Sequence, residues 1–116
     1  MTQKDIRDLQ LAKAAVRAGI DILRNRFDRP VEKIYITGLF GARINKESAN
    51  DIGIFPEDVD PGIVEVVESA ALSGLAELMA APDMDAEIAS ISRKIEHVEL
   101  AKSKDFESIF TGAMSF

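Results

Sequence analysis

The sequence contains no cysteine and no tryptophan, and it has only one histidine, His97, and one tyrosine. Without cysteine the chain can form no disulfide, has no catalytic thiol and offers no thiolate to an iron–sulfur cluster. A single histidine disfavours a histidine-based zinc site and a Ser–His–Asp catalytic set. No apolar run approaches the roughly 18 residues of a membrane span, and no signal-peptide pattern is present, so we expect a cytoplasmic protein without a membrane partner.

Positive charge is also scarce. Lys and Arg total 14 against 20 Asp and Glu, a net charge of −6, which argues against nucleic acid as a partner. Residues 1–46 carry 10 basic and 5 acidic residues, whereas residues 47–116 carry 4 and 15. The basic part could face a nucleotide or an acidic surface, and the acidic part a basic partner. Ordinary solvated helix faces would produce the same asymmetry, so both interpretations stay open.

The 116 residues, 47% of them hydrophobic, are expected to form a single domain over 1–116 with one modest core. Residues Thr2 to Phe27 predict one long helix, with Thr2 and Asp5 as a capping box and Asp28-Arg29-Pro30 as its end. One apolar stripe runs along this helix at spacings of three and four: Ile6, Leu9, Ala12, Val16, Ile20, Leu23 and Phe27. Gly19 within it indicates a close backbone approach.

Short strands and helices alternate in the remainder, which predicts an α/β fold with a short, mostly parallel sheet and flanking helices. Strands are expected at Lys33–Thr37, Ile63–Val67 and His97–Leu100. A short helix capped by Asn45 should end near Gly53, and a longer one should cover Ser69 to Met79. Two further helices are expected, the first capped by Asp83 or Asp85 and the last by Ser103.

The segment Ile34–Gly41 is the part of the sequence with a ligand-binding pattern. A hydrophobic strand ending in Gly38, with Gly41 close behind, predicts a glycine turn that exposes bare backbone at the carboxyl end of a parallel sheet. Ligands bind there in α/β folds, because helix N-termini and backbone amides converge on that edge. Glycines in such a position also serve tight turns without a ligand, so a purely structural role is the competing interpretation.

Four separated blocks resemble the C-terminal part of the reductive activators of corrinoid proteins, and together they span essentially the whole chain in the family's order. The blocks are Asp5–Ile20, Ile34–Gly41, Asn45–Ala49 with Ile52–Pro56, and Ile95–Leu100 with Asp105-Phe106 and Phe110–Phe116. That family is similar to the actin, sugar-kinase and heat-shock-chaperone ATPases, in which two ribonuclease-H-like lobes clamp a nucleotide. The resemblance implies that this chain is the back portion of the second lobe.

The resemblance also implies a function. Members of the family use ATP to drive an electron onto the Co(II) of a corrinoid protein, returning it to Co(I) in methyl-transfer metabolism such as methanogenesis or acetogenesis. The electron comes from an iron–sulfur cluster in another domain, which is absent from this chain. The expected cofactor is therefore ATP and the expected partner a corrinoid protein. The fragment alone should be inactive, and a missing lobe should favour a homodimer through exposed apolar surface.

Site residues follow from the resemblance position by position. Gly38, with Gly41 behind it, matches the glycine turn that backs the ribose and inner phosphates. Gln10 and Lys13 match the spacing of two adenosine-contacting residues on one helix face, with Arg17 one turn further along. Arg43, just past the turn, is placed to stack on adenine.

Two positions depart from the family pattern. The family often has a Gly-Gly pair where this sequence has Gly38-Leu39, and a Gly-Asn pair near Glu68, whose charge would repel phosphates. These departures favour an alternative function, a non-catalytic interaction or dimerisation module of the same fold with a degraded nucleotide pocket.

Overall fold

The computed structural model describes residues 1–27 and 29–116, and within them short strands alternate with helices. The helices are α1 (Gln3–Arg24), α2 (Gly38–Arg43), α3 (Lys46–Asp51), α4 (Ala70–Ala80), α5 (Asp85–Ser92) and α6 (Phe106–Gly112), and the strands are β1 (Ile34–Thr37) and β2 (Val64–Val67). The two strands are parallel, so the predicted α/β class is confirmed. Within the described ranges, no helix combines the length and the apolar character that crossing a membrane would need.

Helix α1 begins at the predicted capping box. The Asp5 backbone N–H donates to Thr2 Oγ1 at 3.2 Å, and the Thr2 backbone N–H donates to Asp5 Oδ2 at 2.6 Å. These two bonds satisfy donors that a helix start would otherwise leave free. The helix ends at Arg24, three residues before the predicted Phe27. Asp28, part of the predicted stop signal, lies outside the described residues.

Strands β1 and β2 pair in register from Ile34 opposite Val64 to Thr37 opposite Val67. The third strand expected at His97–Leu100 is wrong, because residues 96–99 are irregular and Leu100–Lys102 forms a 3-10 turn. Instead, a Leu100 methyl carbon lies 3.4 Å from where a Cβ on Gly19 would stand. Leu100 therefore packs on α1, and this tertiary contact overrides the local strand preference of the segment.

The expected glycine turn after β1 is also wrong, since the chain passes directly into α2 at Gly38. Gly38 has φ +85°, which redirects the backbone without a Cβ penalty. Gly41 allows α2 to pack closely against β1, the strand that precedes it. A Cβ on Gly41 would stand 2.6 Å from Ile36 Cγ2 and 3.1 Å from the Ile36 carbonyl carbon. Glycine therefore serves the backbone conformation at position 38 and the close packing of α2 on β1 at position 41.

Helix α3 and the loop after it carry the core. Asn45 caps α3 as predicted, its Oδ1 accepting from the Ser48 N–H at 2.8 Å, and Gly53 follows the helix with φ +78°. The buried core residues are Ala49, Ile54, Phe55, Val59 and Val64, with half-buried isoleucines of α1, β1 and the connecting segments around them. The core therefore lies between α3, the 54–59 loop and β2.

The starts of the last two helices differ from the prediction. Asp85 is the first residue of α5 rather than its cap, and neither Asp83 nor Asp85 caps through its side chain. Helix α6 starts at Phe106 with Asp105, not Ser103, in the N-cap position. Tight 3-10-type turns lead into both helices, and the Phe106 N–H donates to the Ser103 carbonyl at 3.1 Å. In both helices the backbone of the preceding turn takes the place of a capping side chain.

Replacing Gly41 tests the contact between α2 and β1. We expect Gly41→Ala to destabilise the protein by about 1–3 kcal/mol, because the new methyl group would overlap Ile36 and its backbone. Gly74→Ala is the matched control: Gly74 lies inside α4 with nothing within 4 Å of the added carbon, so this change should stabilise by about 0.5–1 kcal/mol. Urea unfolding of both variants measures the difference. Equal effects of the two substitutions would contradict the packing described here.

Candidate functional site

Both strands of the sheet end at one edge, and a helix begins there after each of them. Strand β1 leads through Gly38 into α2, and β2 leads through Glu68 and Ser69 into α4. The two junction residues, Gly38 and Ser69, have positive φ values of 85° and 51°. This edge is where parallel α/β sheets present backbone amides and helix N-termini to ligands.

A hydrogen bond ties the two junctions together. The Ala70 N–H, at the start of α4, donates to Thr37 Oγ1 at 3.1 Å. Beside it, a Cβ built on Gly38 would meet nothing within 4 Å, so the backbone of Gly38 faces open space. The edge is therefore held in position and remains accessible to a ligand.

Leu39 does not plug this edge. Its side chain is 86% exposed and lines a shallow cavity of about 450 Å³ together with Leu9 and Arg43. Glu68 is exposed at the other junction. A carboxylate at that position opposes the approach of phosphate groups, so the edge has favourable backbone geometry and one unfavourable charge.

A second group of functional candidates lies on α1. Lys13 is buried, with 3% of its surface exposed, and its ammonium group donates to the Ser115 carbonyl oxygen. The same ammonium lies 4.8 Å from the centre of the Phe116 ring. Burial, with a smaller contribution from neighbouring Arg17, lowers the pKa of Lys13 below its ordinary value. Among the described residues no carboxylate pairs with Lys13.

The next two cations on this side of α1 hold the loop after α3. Arg17 donates from a terminal nitrogen to the Phe55 carbonyl oxygen at 2.8 Å and from Nε to Asp21 at 2.8 Å. Arg24 pairs with both carboxylate oxygens of Asp58, at 2.9 and 2.5 Å. With Lys13 beside Gly53, the three cations form a row that we call the α1 cation row (Lys13, Arg17 and Arg24).

The structure distributes the six predicted site residues over separate places. Lys13 and Arg17 line one cleft of about 610 Å³, with Phe116 and the acidic residues Asp51 and Glu57. Gln10 lines a different cavity near Arg7 and Met114, and Arg43 lies in the one beside Leu39. Gly38 is on the sheet edge, and Gly41 is buried against β1. Nucleotide contacts from these six residues stay a prediction.

Two functional candidates at the edge were not predicted from the sequence. Thr37 supplies the bond between the junctions, and Ser69 supplies the second left-handed backbone position. A threonine directly before the strand-ending glycine was a usable signal for the first. Nothing local distinguishes Ser69, because serine rarely adopts positive φ and does so here at a junction set by the parallel pairing.

The chemistry of the site is that of backbone amides and hydroxyls on a parallel sheet. In the part of the chain that the structure describes, no cluster of three or more His, Asp or Glu side chains is arranged to hold a metal ion. The fold and the edge together define an α/β domain of the type that binds ligands at the carboxyl ends of its strands.

Comparison with known families identifies the domain further. The family described as the C-terminal domain of RACo, the ASKHA domain, matches residues 1–116, and the chain belongs to that family. It is similar to the corrinoid activation enzyme RamQ of Eubacterium limosum, with 34% identity over 110 residues. The match covers 91% of this chain but 18% of RamQ, so the chain spans less than a fifth of that relative. The resemblance to the C-terminal part of the corrinoid activators' ATPase domain is confirmed.

The buried ammonium of Lys13 gives a prediction for pH dependence. Because its pKa is lowered in the folded state, the charged form costs stability at neutral pH, and that cost disappears as pH rises toward 10.5. We therefore expect the wild type to gain stability relative to Lys13→Met between pH 7 and about pH 10. Urea unfolding of both proteins at the two pH values gives the difference in their unfolding free energies. The other titrating groups are the same in both proteins, so their contributions cancel. A constant difference across the range would show that burial does not perturb Lys13.

Proposed function

We propose that this chain is the C-terminal portion of the ATPase domain of an ATP-dependent reductive activator, which returns a corrinoid protein from Co(II) to Co(I). In this proposal the whole of residues 1–116 is one domain piece, and the sheet edge forms one wall of a nucleotide cleft. The family membership supports the domain assignment, and the name of the relative RamQ supports corrinoid activation.

The observation that carries the nucleotide role is the pair of strand–helix junctions. Gly38 faces open space, and the Thr37–Ala70 hydrogen bond fixes the second junction beside it. Backbone N–H groups at such junctions suit the ribose and inner phosphates of ATP. The outer phosphates and the opposing wall must be held by residues outside this chain, so the 116 residues alone should not hydrolyse ATP.

The reaction needs a reductant that this chain does not hold. The sequence has no cysteine, so its own residues do not fit a thiolate-bound iron–sulfur cluster. A cluster supplying the electron must therefore be bound elsewhere in the activator. ATP supplies the driving force in this proposal. The part played by the present residues is to hold the nucleotide while domain closure positions the corrinoid protein.

The alternative is a non-catalytic interaction or dimerisation module. Leu39 stands exposed beside Gly38, and Glu68 places a negative charge at the second junction. Both features would weaken a phosphate site, so they favour a pocket that has lost its nucleotide. A titration with ATP separates the two functions.

We expect ATP to bind the 116-residue chain weakly, with a dissociation constant on the order of millimolar, because one wall of the cleft provides only part of the contacts. Two-dimensional amide NMR should show shifts confined to residues 37–39 and 68–70. The absence of any shift there at about ten times that concentration would favour the non-catalytic module.

A pair of glycine variants tests the role of the edge. Gly38→Ala and Gly53→Ala both place a side chain at positive φ, with similar strain of about 1–2 kcal/mol, but only Gly38 lies on the edge. The added carbon at Gly38 meets no protein atom within 4 Å, so a loss of ATP shifts would come from obstruction of the ligand. We expect that loss for Gly38→Ala and retention for Gly53→Ala; similar losses in both would contradict the assignment.

Removing the charge at the second junction should strengthen binding. We expect Glu68→Gln to increase ATP affinity about two- to fivefold, since a repulsive charge near phosphates costs on the order of 0.5–1 kcal/mol in a solvated site. Glu77→Gln, an equal charge change within α4, is the control and should leave affinity unchanged. The NMR titration measures both. An unchanged affinity in Glu68→Gln would place the phosphates away from this junction.

A further inference from the structure

Helix α4 presents an uncovered apolar row. Leu72, Leu75 and Met79 are 67%, 54% and 79% exposed, and with Ala76 they recur at the spacing that places residues on one side of a helix. The helix has a single charged residue, Glu77, and none of its described residues is buried. An apolar helix this exposed is a mark of an interaction surface. We call this row the α4 face.

The exposed area of the chain indicates a large missing neighbour. The chain exposes 9045 Å². A compact protein of 12.7 kDa would expose roughly 6,200 Å², which leaves an excess of roughly 2,800 Å². A standard interface buries about 800 Å² on each partner, so one such contact would cover only a part of the excess.

Charge selects the chemistry of that neighbour. Residues 68–92 contain no Lys or Arg, and their five acidic residues are Glu68, Glu77, Asp83, Asp85 and Glu87. A second copy meeting this region through a two-fold axis would bring like charges together. A helix with an apolar side flanked by basic residues would match both the apolar row and the negative charge of residues 68–92.

We infer that the α4 face packs against an apolar helix with flanking Lys or Arg residues, supplied by the part of the same activator polypeptide that lies outside these 116 residues. This inference rests on the proposed function, in which the chain is a piece of a larger ATPase domain. Two observations support this source for the helix. The chain matches only 18% of RamQ, and the uncovered area is large.

A model peptide tests the chemistry of the surface. The probe is a labelled helical peptide of leucines at i, i+3, i+4 and i+7 flanked by lysines, and its counterpart has glutamate for every lysine. By fluorescence anisotropy we expect the lysine peptide to bind the 116-residue chain at least about tenfold more tightly than the glutamate peptide. The double variant Leu75→Ser/Met79→Ser should lose about tenfold in affinity for the lysine peptide.

Val16→Ser is the matched control, because Val16 is an exposed apolar residue of α1 and lies outside the α4 face. It should bind the lysine peptide as the wild type does. Equal affinity for both peptides, or no loss in the double variant, would overturn the inference. A dimer detected by sedimentation and abolished by the double variant would overturn it in favour of a second copy.

The source of the helix is tested in the longer polypeptide with a photo-crosslinking amino acid at Ala76. A crosslink within one polypeptide supports the inference; a crosslink to a second polypeptide, or a gene that encodes no further domain, overturns it. These readouts are independent of nucleotide. An intramolecular crosslink in a protein that does not bind ATP would retain this inference while the nucleotide role fails.

Discussion

The α1 cation row ties the loop after α3 and the segment after α6 to the first helix. Arg17 and Arg24 bind the loop that follows α3, and Lys13 binds the chain end after α6. That loop carries Ile54 and Phe55 into the core, so the Arg17 bond to the Phe55 carbonyl helps to position core side chains. The three cations therefore work mainly as structural fasteners. The Lys13 ammonium contacts a carbonyl oxygen and an aromatic ring instead of a carboxylate. The strength of these two contacts depends strongly on the burial of the ammonium group.

The proposed nucleotide edge is chemically different from this row. It consists of backbone groups, a threonine hydroxyl and two left-handed positions, with Glu68 as its nearest charge by sequence. Binding at such an edge depends on geometry more than on side-chain charge. An exposed side chain such as Leu39 beside Gly38 therefore alters access to the edge without dismantling it.

Features that depend on neighbours in the sequence were predictable. The Thr2–Asp5 capping box, the Asn45 cap and the left-handed Gly53 each follow from residues within a few positions, and each is confirmed. Features set by distant partners were not. The Lys13–Ser115 bond joins residues 102 positions apart, and Leu100 packs on α1 instead of extending the sheet. Local preference cannot indicate which of several apolar surfaces a segment will meet.

The candidate site shows the same difference between local features, which were predictable, and features set by distant partners, which were not. The resemblance led to the family and to Gly38, because motifs are read along the chain. It also assigned Gln10, Lys13 and Arg43 to one adenosine site, whereas the structure puts them in three separate cavities. A sheet of two four-residue strands has a further consequence. In the described part of the chain each strand has one neighbour, so each has an edge that no further strand pairs with. Such an edge can template pairing with another chain, so concentrated solutions of these 116 residues should favour aggregation.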